Sequence, residues 1–211
     1  TRTYVVSTLA QSAGITTLDM SAVDGTNGGS DDIMSVDASG FTSSVNLTIN
    51  GSDDSNATDS IVGGKGNDTI DSGTSGVGDS LTGGDGNDVF IIKSGVITAV
   101  TDLNNGDNFQ ITSTGAGVAH TFSVISDYTS TAVTSNLGVA ADAVLTAIGS
   151  VDVINMSTNA TASTGGFTIT AASGKASTLT GSGGDDILNG STAADSLIGG
   201  SGNDTINGEA G

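Results

Sequence analysis

The sequence lacks several residue types that stabilise ordinary globular domains. Its 211 residues include no cysteine, no proline and no tryptophan, and aromatic residues make up only 3%. Without cysteine there are no disulfides, and with few aromatic rings there is little of the large apolar surface that a compact core usually buries. The remaining apolar residues are mostly Val, Ile, Leu and Ala, which favours stacked short strands over one globular core.

Basic residues are almost absent as well. Four Lys and Arg stand against 23 acids, which gives a net charge of −19. Such a chain cannot neutralise phosphates, so we expect no nucleic-acid partner, and no apolar run is long enough for membrane insertion. All of the acids except Glu209 are Asp, the acid that turns tolerate and hard cations favour. The charge therefore indicates metal binding rather than solubility.

Glycine, by contrast, is abundant, and much of it lies in a nine-residue repeat. Three segments fit the pattern G-G-x-G-x-D-x-U-x, where U is a large apolar residue: 63–71, 83–91 and 199–207. Weaker copies continue the spacing, since other Asp residues also recur at intervals of nine. Chance in a Gly- and Asp-rich chain explains one match better than three matches with neighbours in phase. The pattern is typical of calcium-binding parallel β-helices.

The repeat has a direct structural interpretation. Its glycines permit the positive φ angles of a tight turn, and x-U-x is long enough for a short strand with U pointing inward. Two nonapeptides then close one coil of about 18 residues. We predict an all-β fold, a parallel β-roll or β-solenoid of calcium-binding nonapeptide coils, with additional β-strand coils and one short flanking helix.

Turns one coil apart should face each other, so that two carboxylates and several carbonyl oxygens converge on one Ca²⁺. Asp68 is predicted to pair with Asp88, and Asp186 with Asp204. The candidate ligand residues are Asp59, Gly64, Gly66, Asp68, Asp79, Gly83, Gly84, Gly86, Asp88, Ser182, Gly184, Asp186, Asp195, Gly199, Gly200, Gly202 and Asp204.

Two of these candidates are expected to form weaker or incomplete sites. Asp59 should meet Asp79 on the other side of the solenoid, but the step of eleven that precedes Asp79 implies a bulge within 72–78. Asp195 should pair with a coil beyond Gly211, because the chain stops in mid-repeat and is expected to be a piece of a longer polypeptide.

The repeats divide the chain into five predicted segments. The helix is predicted within 136–148, where several apolar residues share one helical face. The segments are a β-coil lead-in (1–53), a first calcium-binding block (54–92), connecting strands with the short helix (93–151), a second β lead-in (152–171) and a second calcium-binding block (172–211).

Catalytic motifs are missing from the sequence. His120 is the single histidine, so no H-E-x-x-H zinc site is possible, and there is no G-x-S-x-G motif. Neighbouring Asp pairs such as Asp31-Asp32 would point to opposite faces of a strand and make poor acid–base partners. We therefore expect the chain not to be an enzyme.

The nonapeptides resemble those of the RTX family of secreted Gram-negative proteins, and the stretch 100–111 is similar to the segment that often follows an RTX roll. The flanks, rich in Thr, Ser, Ala and Gly, resemble RTX surface-layer proteins. This resemblance implies type I secretion, folding on calcium outside the cell, and assembly at the cell surface with other copies of the chain. Cell-surface polysaccharide is a further candidate partner. A carrier domain of a secreted hydrolase and a segment of a large RTX adhesin are the alternatives.

Overall fold

The chain winds into a β-solenoid. The computed structural model describes residues 2–5, 12–21, 33–54, 57–74, 78–93, 98–112, 118–137, 143–158 and 165–211. Every pair of neighbouring strands in these ranges is parallel. Parallel pairing throughout follows from winding in one sense, and the predicted all-β solenoid is confirmed.

The strands form three sheets. A ten-stranded sheet makes one face and contains β1 (Arg2–Val5), β3 (Ile33–Asp37), β5 (Thr58–Val62), β7 (Ser80–Thr82), β9 (Ala99–Leu103), β11 (His120–Val124), β14 (Ala143–Ala147), β16 (Phe167–Thr170), β18 (Ile187–Asn189) and β20 (Thr205–Asn207). A six-stranded sheet contains β2 (Thr17–Asp19), β4 (Thr48–Asn50), β6 (Thr69–Asp71), β8 (Val89–Ile92), β10 (Asn108–Ile111) and β13 (Ser135–Asn136). A four-stranded sheet contains β12 (Tyr128–Thr129), β15 (Val153–Asn155), β17 (Thr178–Thr180) and β19 (Ser196–Ile198).

The length of a coil follows from the strand register. Leu179 lies beside Leu197, and Leu188 lies beside Ile206, so each of these coils has the predicted 18 residues. Coils in the middle of the chain are longer, since Phe122 pairs with Leu145. The strands of these longer coils keep the same inward-facing column.

The core is a stack of inward-pointing aliphatic and aromatic side chains. In the ten-stranded sheet this column is at most 1% exposed from β3 to β18 and consists of Val36, Ile61, Leu81, Val100, Phe122, Leu145, Ile169 and Leu188. Side chains on either side of each of these point outward, as the period of two in a strand requires.

Four of the seven aromatic rings lie together where the six-stranded sheet ends and the four-stranded sheet begins. Phe109 stacks on Phe122 with ring centroids 4.2 Å apart, and the rings of Tyr128 and Phe167 also contact it at 6.5 and 6.1 Å. Large rings fill the space that opens where one sheet gives way to another. We call this group of four rings the aromatic seam.

The predicted helix at 136–148 is wrong. Asn136 ends strand β13, and Ala143–Ala147 form strand β14, while 138–142 lie outside the described residues. Within β14 the burial alternates, with Leu145 fully buried and Val144 turned outward. The short apolar run 143–147 is compatible with a helix as well as with a strand. It forms a strand because β11 and β16 pair with it on both sides.

The ten-stranded sheet runs through all five predicted segments, from β1 to β20. The five-part division remains a prediction about sequence. No helix in the described ranges is long and apolar enough to cross a membrane.

Candidate calcium sites

The aspartates at position six of the repeats lie one coil above another, each at the corner before a strand. The Asp68 N–H donates to Asp88 Oδ1 at 2.8 Å, the Asp186 N–H to Asp204 Oδ1 at 3.0 Å, and the Asp59 N–H to Asp79 Oδ1 at 3.0 Å. The three predicted pairs are therefore neighbours in space. Calcium ligation by these particular residues remains a prediction.

In two of these aspartates, Asp68 and Asp186, the second carboxylate oxygen accepts a hydrogen bond within its own turn. Asp68 Oδ2 accepts the Gly64 N–H at 2.7 Å, and Asp186 Oδ2 accepts the Ser182 N–H at 2.6 Å. In both turns the donor lies four residues before the aspartate. The carboxylate thus closes the turn and holds it in shape.

Asp195 makes the same two kinds of contact. Its Oδ1 accepts the Ser177 N–H of the preceding coil at 2.8 Å, and its Oδ2 accepts the Ser191 N–H of its own turn at 2.6 Å. The partner predicted beyond Gly211 stays a prediction.

Glycine at the candidate ligand positions is a requirement of close approach. An ideal Cβ on Gly84 or Gly86 would overlap the carbonyl oxygen of Gly64 or Gly66, one coil below. Gly84 has φ 99° and Gly86 has φ 139°, a region that other residues rarely adopt. The same relation links Gly200 to the Ser182 carbonyl and Gly202 to the Gly184 carbonyl. Carbonyl oxygens thus line the gaps between successive turns.

Position one of the repeat makes room for the carboxylate itself. An ideal Cβ on Gly83 would overlap Asp88 Oδ2, and one on Gly199 would overlap Asp204 Oδ2. These glycines let the aspartate side chain fold back into its own turn.

Two buried carboxylate oxygens have no hydrogen-bond partner among the described residues: Asp59 Oδ1 and Asp88 Oδ2. Burial raises the pKa of Asp59 to about 7, against the opposing hydrogen bond from the Ser52 N–H and with a further rise from the negative charge of Asp79. Burial likewise raises the pKa of Asp88 to about 7, and the neighbouring acids add to the effect. Buried carboxylates of this kind are stabilised by a cation.

The donor set suits calcium. Within the described ranges no three His, Cys, Asp or Glu side chains converge as a metal site, so a cation held here needs backbone carbonyls as well as carboxylates. Calcium takes six to eight oxygen ligands in flexible geometry, including carbonyls, whereas magnesium demands a stricter octahedron. The residues present therefore fit Ca²⁺.

The sequence analysis missed Asp107 as a member of the aspartate ladder. Asp107 is fully buried, its Oδ1 accepts the Asp88 N–H at 2.8 Å, and its Oδ2 accepts the Asn104 N–H at 2.9 Å. Burial raises its pKa to about 6, against those two hydrogen bonds. A signal was present, because Asp107 follows Asp88 at nearly the spacing that separates Asp88 from Asp68, but its turn lacks the glycines of the repeat.

His120 occupies an aspartate position of the ten-stranded sheet. It lies one coil above Thr98 and accepts the Thr98 N–H at its Nδ1, at 3.2 Å. Burial lowers the pKa of His120 to about 4, so the imidazole is neutral at pH 7. The single histidine of the chain serves as a hydrogen-bond acceptor of the core.

The comparisons with known proteins agree with this geometry. The family model for the RTX calcium-binding nonapeptide repeat matches four copies, at residues 53–75, 78–91 and 180–211. The chain is an RTX-repeat protein. Repeats of this family bind calcium ions, so Ca²⁺ is the cofactor of this RTX chain. Searches of curated proteins and of solved structures returned no significant match.

Proposed function

We propose that this RTX chain is a structural unit of a calcium-dependent extracellular array, either a surface layer or a surface filament. RTX-repeat proteins are typically secreted by Gram-negative bacteria. The proposal adds export by type I secretion, folding on calcium outside the cell, and assembly with other copies at the cell surface.

The observation that carries the proposal is the continuity of the solenoid. One sheet runs from β1 to β20, so the calcium-binding coils continue directly into coils that lack the repeat. A rod of stacked coils is an extended building element whose sides are available for lateral contacts.

The outer face of the ten-stranded sheet supports lateral contacts. From β5 to β20 its outward side chains are uncharged apart from Asp102 and are mostly Ser, Thr, Val and Asn. In a chain with 23 acids, this leaves a broad face on which two copies can approach without direct repulsion between carboxylates. Calcium bound at the corners would lower the remaining repulsion.

The described residues give little support to a catalytic function. The one histidine is buried and neutral, and the matched repeat is a structural calcium-binding element. We therefore propose that the chain acts as scaffold rather than as enzyme. Cell-surface polysaccharide remains a proposed partner.

Electron microscopy and light scattering across a calcium titration test the proposal. Ordered polymers are expected at millimolar calcium, and chelation should disperse them. Magnesium at equal ionic strength is the control, because it screens charge without filling the flexible oxygen sites. A chain that folds on calcium yet stays monomeric at high concentration would exclude the array and favour the carrier domain of a secreted hydrolase.

A further inference from the structure

The bend at 102–107 lies against the turn at 83–88, although it falls outside the matched repeats. Asp102 Oδ1 accepts the Gly83 N–H and Asp102 Oδ2 accepts the Gly84 N–H, both at 2.9 Å. Two successive backbone N–H groups thus hold one carboxylate over the first residues of a calcium-binding turn, an arrangement that favours an anionic group.

The turn beneath this contact differs from three other aspartate turns. In the turns of Asp68, Asp186 and Asp195, the N–H four residues before the aspartate donates to its own Oδ2. In the turn of Asp88 the corresponding N–H belongs to Gly84, and it donates to Asp102 instead. Asp88 is fully buried, and its Oδ2 has no hydrogen-bond partner in the part of the chain that the structure describes.

The free oxygen and Asp102 lie beside the same glycine. An ideal Cβ on Gly83 would overlap Asp88 Oδ2, and the Gly83 N–H donates to Asp102. A buried carboxylate oxygen without a donor is unfavourable unless a cation or a proton compensates it. Asp107 fixes the Asp88 backbone from the next coil and so positions this oxygen.

We propose that a further calcium site forms between the turn at 83–88 and the bend at 102–107, with Asp88 Oδ2 and Asp102 as its carboxylate ligands. Backbone oxygens of the two turns complete the coordination, as calcium allows. This proposal depends on calcium binding by the repeats but not on the proposed array. Its test measures ion binding alone, so failure of the array would leave it standing.

A pair of asparagine variants tests the site by calcium titration calorimetry and equilibrium dialysis. Asp102→Asn keeps an acceptor oxygen but removes the charge, and it should lose one bound ion or weaken one site about 10–100-fold. Asp127→Asn is the matched control, because Asp127 Oδ1 also accepts two successive N–H groups, from Asp152 at 2.8 Å and Val153 at 3.0 Å. The control should bind calcium as the wild type does.

Unchanged stoichiometry and affinities in Asp102→Asn would overturn the site and leave Asp88 Oδ2 to carry a proton. The wild-type protein gives a second measurement that does not depend on variant folding. Anomalous scattering from calcium-loaded crystals should show an ion about 2.3–2.6 Å from Asp88 Oδ2 and Asp102. Ions at the Asp68 and Asp186 turns with none at this position would also overturn the proposal.

Discussion

At the scale of single residues, the solenoid keeps ionisable groups in its interior. Asp59, Asp88 and Asp107 are fully buried, and burial raises the pKa of each. His120 is buried at an aspartate position of the ten-stranded sheet, and burial lowers its pKa. The contributions of the acids and of the histidine to folding stability therefore change with pH in opposite directions.

The calcium-free chain should become more stable on acidification from pH 8 towards pH 5. The folded state holds protons on Asp59 and Asp88 up to about pH 7 and on Asp107 up to about pH 6, whereas the unfolded chain releases them near pH 3.9. Stability from a raised pKa is present at low pH and is lost as pH rises through the folded value. Circular dichroism in EDTA at a series of pH values measures it, because β-structure that chelation removes from 54–92 at pH 8 should return in part towards pH 5. A β-structure content that stays constant or increases as the pH rises from 5 to 8 would contradict the assignment.

His120 should act in the opposite direction. Its folded pKa of about 4 lies below the ordinary value of 6.5, so the unfolded chain takes up the proton first and stability falls as pH drops from 6.5 to 4. The shift corresponds to roughly 3 kcal/mol. His120→Asn keeps an acceptor for the Thr98 N–H, and its unfolding free energy should lack this part of the pH dependence. The difference between variant and wild-type profiles isolates the histidine.

The paired aspartates should differ from aspartates outside the repeats. Asp68→Ala removes acceptors from the Leu47 and Gly64 N–H groups, at 2.8 and 2.7 Å, and each buried donor left unpaired costs about 1–3 kcal/mol. Asp68→Ala should also lose bound calcium in calorimetric titration. Asp37→Ala is the control, since within the described ranges the hydrogen bonds that Asp37 accepts are local ones from Ser39. Equal loss of calcium in both variants would show that the aspartate assignment is wrong.

At the scale of elements, the short strands and the tight turns have different structural roles. The strands stack their apolar column into the core, while the turns bring backbone carbonyls of successive coils face to face. The turns tolerate this because glycine removes the Cβ at the points of contact. The cost of replacing a turn glycine therefore depends on which atoms of the neighbouring coil lie where its Cβ would be. Glycines of the same repeat are not equivalent in this respect.

Gly86→Ala and Gly183→Ala should separate these effects. An Ala at 86 would overlap the Gly66 carbonyl and adopt φ 139°, which should destabilise the chain by about 2 kcal/mol or more. Nothing lies within 4 Å of an ideal Cβ on Gly183, and its φ is ordinary. Thermal unfolding in calcium measures both variants, and equal melting temperatures would contradict the proposed contact between turns.

At the scale of the whole molecule, the aspartate ladder is interrupted in the middle of the chain. Along the ten-stranded sheet, the positions that hold Asp in the calcium-binding coils are taken by Thr98, His120, Ala143 and Phe167. The aromatic seam lies in these same coils. Along the ten-stranded sheet the middle is thus held by apolar packing, whereas the coils on either side carry buried carboxylates at these positions.

Calcium removal should therefore act unevenly. In EDTA, repulsion between empty acidic turns should abolish β-structure first within 54–92 and 172–211, whereas the strands from β11 to β16 should keep the slowest amide exchange. Hydrogen exchange followed by mass spectrometry, with and without calcium, gives the order. Uniform exchange along the chain, or circular dichroism unaffected by excess EDTA, would contradict a calcium-dependent solenoid.

The sequence by itself determined the repeat, the parallel solenoid, the cofactor and the pairing of distant aspartates. These follow from a local period, because a nine-residue unit of turn and strand repeated in phase can only stack. Tertiary structure decided the rest. The run 143–147 fits a helix and a strand equally until β11 and β16 lie beside it. Asp107 and His120 take aspartate positions, and Asp102 contacts the turn at 83–88, without a repeat motif. Their roles come from the coil beneath them, which local sequence does not encode.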